Sequence, residues 1–572
     1  MARNVAIGIQ QFNELIEKNY FYIDKTSFIK EWWDSGDSVT LINRPRRFGK
    51  TLNMSMVEQF FSVDYKNRGN LFEGLSIWQD EKYRQLQGTY PVISLSFANV
   101  KERDYESTKY RICQLMEDLY NQNIFLLDSD RMTDADRAYF QSVRANMSEV
   151  VASSAIHKLC DYLYRYYGKK VIVLLDEYDT PMQEAYVEGF WDELVAFTRS
   201  LFNSTFKTNP WLERGLMTGI TRVSKESIFS DLNNLKVVTT TSDEYATSFG
   251  FTEEEVFAAL DECGLSEEKE QVKRWYDGFI FGSHEDIYNP WSILNFLDTG
   301  RYNTYWANTS SNSLVGKLIR EGSVRLKKQF EGLLKGGTIQ SQIDEQIVYN
   351  QLNGNERAIW SLLLTSGYLK VLAHEDYRDI PEGAQPQYTM TLTNLEVKLM
   401  FDGMIRDWFS PADADYNDFI SALLQDDLEA MNAYMNEVTQ EVFSSFDSGT
   451  KPSRNAPERF YHGFVLGLLV DLQGRYLITS NRESGFGRYD VMLEPKNPKE
   501  DDAIILEFKV MNPRKESSLE DTVQAALSQI QEKQYAAQLI GRGIPKDHIR
   551  SYGFAFQGKQ VLIGDSTSVV LE

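Results

Sequence analysis

The sequence predicts an α/β protein with a buried parallel sheet in its N-terminal part, a helical middle region and a smaller α/β domain at its C-terminal end. Four apolar, β-branched runs alternate with longer helical patterns before residue 245, which is typical of a parallel sheet covered by helices. Residues 252–450 carry apolar residues at spacings of three and four, as helices do. Strand-like runs then return between two helical patterns. The expected domains are residues 1–245, 246–445 and 446–572.

A polar stretch and four strand-like runs carry this prediction of domains. The polar stretch SSFDSGTKPSRNAPER, residues 444–459, separates the middle region from the C-terminal domain, because glycine and proline interrupt helices. The four strand-like runs of the first domain are SVTLIN (38–43), PVISLSF (91–97), KKVIVLLDEYD (169–179) and LERGLMTGITR (212–222).

Length and composition indicate a multidomain globular protein. The 572 residues exceed the ~250–300 at which a single core stops growing. The three cysteines have no metal or redox spacing, and the sequence shows neither a secretory signal nor an apolar stretch of membrane-spanning length. We therefore expect a cytoplasmic protein with no membrane partner.

The charge distribution bears on nucleic-acid binding. The net charge of −23 opposes non-specific attraction to DNA or RNA. Residues 451–572 hold equal numbers of basic and acidic side chains, so the whole acidic excess lies in residues 1–450. A nucleic acid would meet the smaller electrostatic penalty at the C-terminal domain.

The turn RPRRFGKT, residues 44–51, leads from the first strand into a helix and ends like a phosphate-binding loop. Such loops bind an anion with the N–H groups of a helix N-terminus beside a lysine. Gly49 would permit close approach, Lys50 would reach the phosphates and Thr51 would offer its hydroxyl to magnesium. Arg44 stands where the general pattern has glycine. The alternative is a basic turn that merely contains Gly-Lys-Thr.

Polar residues at the ends of two later strands would complete this site. Asp176 would point at magnesium and Glu177 would polarise the attacking water, and the alternative is a pair of helix-capping acids. In MTGITRVS, residues 217–224, the candidates for sensing the γ-phosphate or neutralising developing charge are Thr218, Thr221 and Arg222. The alternative for Arg222 is a pair with a surface acid.

Acidic residues near the C-terminal end suggest a second site. Metal-dependent phosphodiester cleavage needs carboxylates on divalent ions and a nearby cation. Glu507 and Lys509 are two residues apart in the strand IILEFKV and would share one face, with Asp490 on the preceding strand. Glu458 lies on an earlier helix and Gln529 on a later one. The alternative is an exposed Glu–Lys pair on an edge strand.

Six motifs together resemble the predicted AAA-ATPase-like family, a bacterial family often fused to a PD-(D/E)XK nuclease-like domain. In this family the arginine-rich loop is itself characteristic, so Arg44 departs from the general pattern and not from the family's. The motifs are FYIDKTSFIKE (21–31), RPRRFGKTL (44–52), LLDEYDTP (174–181), TGITRVSKESIFSDLNNL (218–235), YDGFIFG (276–282) and YNPWSI (288–293).

The resemblance implies a P-loop NTPase sheet that binds ATP with Mg²⁺. It also implies that Tyr22, Asp24 and Lys25 lie near the nucleotide, the alternative being a structural turn at the N-terminus. The implied catalytic residues of this site are Glu177 and Arg222. The implied nucleotide-binding residues are Arg46, Arg47, Phe48, Gly49, Lys50, Thr51, Leu52 and Asp176, of which Thr51 and Asp176 would hold the metal.

The C-terminal domain resembles the PD-(D/E)XK core in its order of helix, three strands and helix, which implies a restriction-endonuclease-like α/β fold. By this resemblance Asp490, Glu507 and Lys509 are catalytic, and Glu458 joins Asp490 and Glu507 at the metal. Gln529 resembles the family's last-helix motif, together with Tyr535. Tyr489 stands where the pattern has proline.

The expected function is an ATP-binding and ATP-hydrolysing enzyme fused to a magnesium-dependent nuclease, with the nucleotide state gating cleavage of DNA or RNA. The alternative is a nucleotide-binding signalling or scaffold protein whose nuclease-like domain binds without cutting. ATP binding without turnover is a third reading. The motifs leave open the oligomeric state and the choice between DNA and RNA.

Overall fold

A computed structural model of the chain forms two compact units, Met1–Met400 and Phe401–Glu572. No helix within the described ranges combines the length and apolar character needed to cross a lipid bilayer. The structure describes residues 3–220, 228–229, 232–309, 315–316, 318–319, 324–344, 352, 355–376, 378–381, 384–408, 416–442, 465, 468–469, 472, 475–480, 483–484, 487–488, 490–498 and 500–565.

The first unit is built from helices and eleven described strands. The helices are α1 (Phe12–Glu17), α2 (Ser27–Ser35), α3 (Lys50–Phe61), α4 (Glu81–Arg84), α5 (Tyr105–Gln122), α6 (Asp134–Ser142), α7 (Glu149–Tyr167), α8 (Thr180–Glu188), α9 (Trp191–Phe202), α10 (Glu253–Glu262), α11 (Lys269–Tyr276), α12 (Pro290–Thr299), α13 (Val324–Leu334) and α14 (Glu356–Thr365), and α15 (Leu395–Trp408) straddles the division between the units. The strands are β1 (Val39–Asn43), β2 (Val92–Ser96), β3 (Val171–Asp176), β4 (Leu212–Gly219), β5 (Leu235–Val238), β6 (Phe251–Thr252), β7 (Phe279–Phe281), β8 (His284–Tyr288), β9 (Ile339–Ser341), β10 (Leu369–His374) and β11 (Tyr388–Leu392).

The main sheet of this unit is parallel, which confirms the predicted fold class. Its order is β2-β3-β4-β1-β5, and each neighbouring pair is parallel. Every residue of β1 and β3 is buried, as apolar strands between two helical layers require. In register, Asn43 lies opposite Gly219, and Leu175 lies opposite Met217. The carboxyl ends of β1, β3 and β4 therefore meet at one edge of the sheet.

Two small antiparallel sheets accompany the helices of the middle region. One has the order β6-β8-β7 and the other β10-β11-β9. Their strands are only 2–6 residues long. Runs this short contain too few alternations for a period-two pattern to stand out from the helical spacing around them.

The second unit contains one five-stranded mixed sheet of order β12-β15-β16-β17-β18 and the small pair β13–β14. Strands β16 and β17 are parallel, and the other neighbouring pairs are antiparallel. The helices are α16 (Tyr416–Gln425), α17 (Leu428–Val442), α18 (Leu519–Glu532) and α19 (Ala537–Gly541). The strands are β12 (Tyr476–Ser480), β13 (Glu483–Ser484), β14 (Gly487–Arg488), β15 (Val491–Pro495), β16 (Ala503–Val510), β17 (Ile549–Gln557) and β18 (Gln560–Asp565).

Alternation along β16 distributes its side chains between two cores. Ile504, Leu506 and Phe508 pack in one cluster with residues of α16 and α17. Ile505 packs in a second cluster with residues of α18, such as Leu527. Helices thus cover both faces of the sheet, and the odd-numbered positions of β16 face α18.

Two asparagines of α17 cover the backbone of the edge strand β18. The amide of Asn432 donates to the carbonyl of Ile563 (2.9 Å) and accepts from its N–H (2.8 Å). The amide of Asn436, one turn later, makes the same pair with Val561, donating at 2.7 Å and accepting at 3.0 Å. An edge strand otherwise presents unpaired backbone groups that can pair with another chain. The two side chains therefore act as a substitute for a sixth strand.

We predict that replacing both Asn432 and Asn436 by alanine exposes this edge. Four backbone groups of β18 lose their partners, at about 1 kcal/mol for each hydrogen bond. Hydrogen exchange in a peptide spanning residues 559–565 should accelerate, and light scattering should show association that grows with protein concentration. Glu437→Ala, an exposed change on the same helix, is the matched control. Unchanged exchange in the double variant would contradict the assignment.

Candidate nucleotide and metal sites

The turn between β1 and α3 has the backbone of an anion-binding loop. Gly49 precedes the helix with φ of 78°, and Arg47 has φ of 63°. A Cβ built on Gly49 would meet nothing within 4 Å, so the backbone angle rather than space favours glycine there. Left-handed residues that alternate with right-handed ones direct successive N–H groups toward one side, and α3 adds the N–H groups of its first turn.

The ammonium of Lys50 lies inside this turn. It is buried and donates to the carbonyls of Arg44 (2.9 Å) and Pro45 (2.8 Å). Burial lowers the pKa of Lys50, and the negative charges of Glu177 and Asp176 oppose that shift. The lysine therefore lies within electrostatic reach of both acids at the end of β3.

Asp176 connects three elements at the carboxyl edge of the sheet. Its carboxylate accepts a hydrogen bond from the hydroxyl of Thr51 at the start of α3 (2.7 Å) and another from Thr218 near the end of β4. Burial raises the pKa of Asp176, while the two hydroxyl groups lower it. Carboxylate and hydroxyl oxygens are hard ligands that suit Mg²⁺, so Thr51 and Asp176 fit this cation chemically.

Glu177 leaves the strand in a strained conformation. Its φ is 50°, which costs about 1–3 kcal/mol for a residue with a Cβ and recurs at functional sites. Its N–H donates to the hydroxyl of Thr218 (3.4 Å), and its carboxylate accepts from the hydroxyl of Thr180 (3.3 Å). The turn moves this acid out of the buried strand to a half-buried position.

Asp179 immediately precedes α8. Its side chain makes no capping hydrogen bond to the helix and instead accepts from the N–H of Ile220 (2.9 Å). The acid therefore ties the end of β3 to the segment after β4.

Arg44 does not share the more accessible environment of Arg46 and Arg47. Arg44 is completely buried, and its guanidinium donates to the carbonyls of Thr239 (2.5 Å) and Glu244 (3.1 Å). It also lies 4.5 Å from the centre of the Phe281 ring. A buried charge needs such partners, so this arginine anchors the loop to the segment that follows β5.

The other predicted loop residues have different environments. Arg46 is half-buried, and Arg47 is exposed with its guanidinium 4.4 Å from the centre of the Trp291 ring. Phe48 is buried against the rings of Phe279 and Phe281, so its side chain is part of the core and only its backbone faces the loop. Leu52 is half-buried in the first turn of α3.

The N-terminal motif makes contacts within the fold. Lys25 is buried and pairs with Glu255 (2.6 Å), where burial lowers the pKa of the lysine. Asp24 accepts from the N–H groups of Thr26 (2.8 Å) and Ser76 (2.6 Å). The hydroxyl of Tyr22 accepts from the N–H of Lys25 (3.2 Å) and donates to the sulfur of Met56 (3.5 Å). These contacts favour the alternative of a structural turn.

Thr221 and Arg222 lie outside the described residues.

In the second unit, Gln529 of α18 contacts both residues of the Glu-x-Lys pair. Its amide donates to Glu507 and accepts from Lys509 (2.6 Å), and it also donates to the hydroxyl of Tyr535 (3.0 Å). Strand β16 has neighbours on both sides. The alternative of an exposed pair on an edge strand is therefore excluded, because Glu507 is 3% exposed.

Asp490 lies next to this group. Its carboxylate accepts from the N–H of Phe508 (2.9 Å), which joins the start of β15 to β16. Burial raises the pKa of Tyr535, and the charges of Glu507 and Asp490 act in the same direction, so both carboxylates are close to that hydroxyl. Two carboxylates fit a divalent cation chemically. Within the described part of the chain no three His, Cys, Asp or Glu residues converge as metal ligands, and Glu458 lies outside it.

Three residues that support the phosphate loop, directly or through one another, were not predicted from the sequence. Asn289 and Trp306 both donate to the carbonyl of Arg46, at 3.2 and 3.0 Å. Glu396 accepts from the backbone of Trp306. Asn289 falls in the motif YNPWSI, so only its motif membership could have drawn attention to it.

Two family models match separate parts of the chain. The family model described as "Predicted AAA-ATPase" matches residues 6–229, and the model of the PD-(D/E)XK nuclease superfamily matches residues 456–566. A relative from Azotobacter chroococcum mcd 1, the "Uncharacterized protein in vnfD 5'region", is 24% identical over 580 residues, and the match covers 98% of each chain. The N-terminal part of this chain is therefore similar to the predicted AAA-ATPase family, and its C-terminal part to the PD-(D/E)XK nuclease superfamily.

Proposed function

We propose that the protein binds and hydrolyses ATP at the edge of its parallel sheet and cleaves DNA or RNA at its C-terminal site. The observation that supports the first activity best is the hydroxyl–carboxylate–hydroxyl chain Thr51–Asp176–Thr218, which joins the phosphate loop to two strand ends. Charged loops at helix N-termini bind phosphates, and an acid at a neighbouring strand end holds magnesium.

In this proposal each residue of the N-terminal site has a separate task. Magnesium, when bound, would neutralise charge on the phosphates. Lys50 would exchange its two carbonyl partners for phosphate oxygens, Arg46 and Arg47 would add positive charge at the mouth of the loop, and Glu177 would orient and deprotonate water. Thr51 and Asp176 would hold the metal.

In the C-terminal site, Asp490 and Glu507 would hold a divalent cation that activates water and stabilises the phosphate charge. Lys509 would lie beside the scissile phosphate, and the amide of Gln529 would keep the lysine and Glu507 in a fixed relation. We further propose that ATP occupancy controls cleavage, because both segments are joined in one polypeptide.

A nucleotide-binding scaffold that does not cut is the second candidate. The net charge of −23 favours it, since acidic proteins repel nucleic acid. ATP turnover without Mg²⁺- or Mn²⁺-dependent cleavage of single- or double-stranded DNA and RNA would select this candidate.

We predict that Lys50→Met weakens binding of ATP with Mg²⁺ by about 10- to 100-fold, because hydrogen bonds from a charged group contribute about 1.5–3 kcal/mol. Methionine keeps the buried aliphatic stem and removes only the ammonium. Isothermal titration of the full-length protein would measure the change, with Lys18→Met, an exposed lysine, as control. Equal affinities of Lys50→Met and wild type would rule out the loop as the ATP site.

We predict that Glu177→Gln separates binding from turnover. The amide has the size of the carboxylate but cannot accept a proton, so ATP hydrolysis should fall about 10²- to 10⁴-fold while ATP affinity stays within a few-fold of wild type. A phosphate-release assay with Glu188→Gln as control would test this. Full activity in Glu177→Gln would remove Glu177 from the mechanism.

We predict that Asp490→Asn and Glu507→Gln each abolish metal-dependent cleavage without changing ATP hydrolysis. A neutral amide binds Mg²⁺ or Mn²⁺ far more weakly than a carboxylate, so losses of at least about 10²-fold are expected. Glu520→Gln, an exposed change at the start of α18, is the control. If Lys50→Met also stops cleavage, the two sites are coupled, whereas normal cleavage in that variant would refute control by ATP.

A further inference from the structure

The carbonyl of Arg46 in the phosphate loop is held by two donors from distant segments. The amide of Asn289 donates to it at 3.2 Å and the indole N–H of Trp306 at 3.0 Å. A carbonyl oxygen has two lone pairs, so both acceptor positions are used. Because the peptide is planar and trans, the N–H of Arg47 points to the opposite side from these donors. The two bonds therefore fix the orientation of one N–H of the loop.

Both donors are themselves fixed by one buried carboxylate. Glu396, which is 1% exposed, accepts from the backbone N–H of Trp306 at 2.7 Å and from the hydroxyl of Ser292 at 2.8 Å. The backbone N–H of Ser292 in turn donates to the side-chain oxygen of Asn289 (3.3 Å). The hydrogen bonds close a ring that begins and ends at the Arg46 carbonyl.

This carboxylate is kept in the interior at a cost. Burial raises the pKa of Glu396 to about 7, and the hydrogen bonds from Ser292 and the backbone oppose the shift. A buried acid that loses its partners is strongly destabilising, so the hydrogen bonds of the ring support one another. Among the described residues, the hydrogen bonds of Asp176 and Glu177 involve no member of the ring.

We propose that Glu396 is a positioning residue for the phosphate loop. Through its hydrogen bonds to Trp306 and Ser292, and through the bond from Ser292 to Asn289, it keeps the loop's N–H groups directed toward the triphosphate. The inference rests on the proposed ATP site for its functional meaning. Its structural part, that the ring holds the loop, concerns the nucleotide-free protein and can be tested separately.

The first test uses hydrogen exchange of the full-length protein without nucleotide. Trp306→Phe keeps an aromatic side chain against Phe279 and Tyr368 but removes the indole N–H. We expect faster exchange in a peptide spanning residues 44–52 and unchanged exchange in β3. Trp275→Phe, whose ring packs on Tyr276 and Tyr302, is the matched control. Unchanged loop exchange in Trp306→Phe would overturn the proposal, whether or not the protein binds ATP.

The second test measures ATP affinity and turnover of the same variants. Trp306→Phe should weaken binding of ATP with Mg²⁺ by about three- to tenfold, the loss expected for one hydrogen bond. Glu396→Ala should weaken it further, and Glu396→Gln should restore it, because its amide oxygen can accept from Trp306 and its amide nitrogen can donate to the Ser292 hydroxyl. Equal loss in Glu396→Gln and Glu396→Ala would overturn the proposed role. Absence of ATP binding by wild type would instead refute the proposed function and leave the exchange result to decide the ring.

Discussion

Burial of one positive charge constrains the N-terminal site. The Arg44 guanidinium is shut off from water and donates hydrogen bonds to the carbonyl oxygens of Asn43, Thr239 and Glu244. Withdrawing any of these partners would leave a charge in the interior, which is far costlier than the loss of one neutral hydrogen bond. The loop therefore cannot change its first turn without moving the segment after β5. Where the general phosphate loop relies on the freedom of glycine, this one relies on a buried anchor.

The features that the sequence could predict all follow from local periodicity or chain order. Long apolar runs identified four of the five strands of the main sheet, since a strand buried on both faces needs no polar alternation. Lys50 and Asp176 could be brought together because Lys50 follows β1 and Asp176 ends β3, and the carboxyl ends of these parallel strands share an edge. Glu507 and Lys509 could be assigned to one face because strand side chains alternate, and Gln529 contacts both.

The contacts that complete the phosphate loop could not be predicted in this way. Trp306 and Glu396 lie 260 and 350 positions after Arg46, and neither stands in a pattern that distinguishes it from other aromatic or acidic residues. Their pairing depends on how the middle region folds, which includes two small sheets whose strands are too short to show a period. That region is thus part of the frame of the loop, although the sequence suggested only a helical segment between two domains.

Three of the buried acids of these sites share one arrangement. Asp176 accepts from threonine hydroxyls, Glu507 from the amide of Gln529, and Glu396 from a serine hydroxyl and backbone N–H groups. Neutral donors give a carboxylate its hydrogen bonds and leave its charge in place, whereas a direct ion pair would cancel that charge. At Asp176 and Glu507 the task proposed for the carboxylate is to attract a divalent cation. At Glu396 the same arrangement aligns other donors, because its partners lead back to the carbonyl of Arg46.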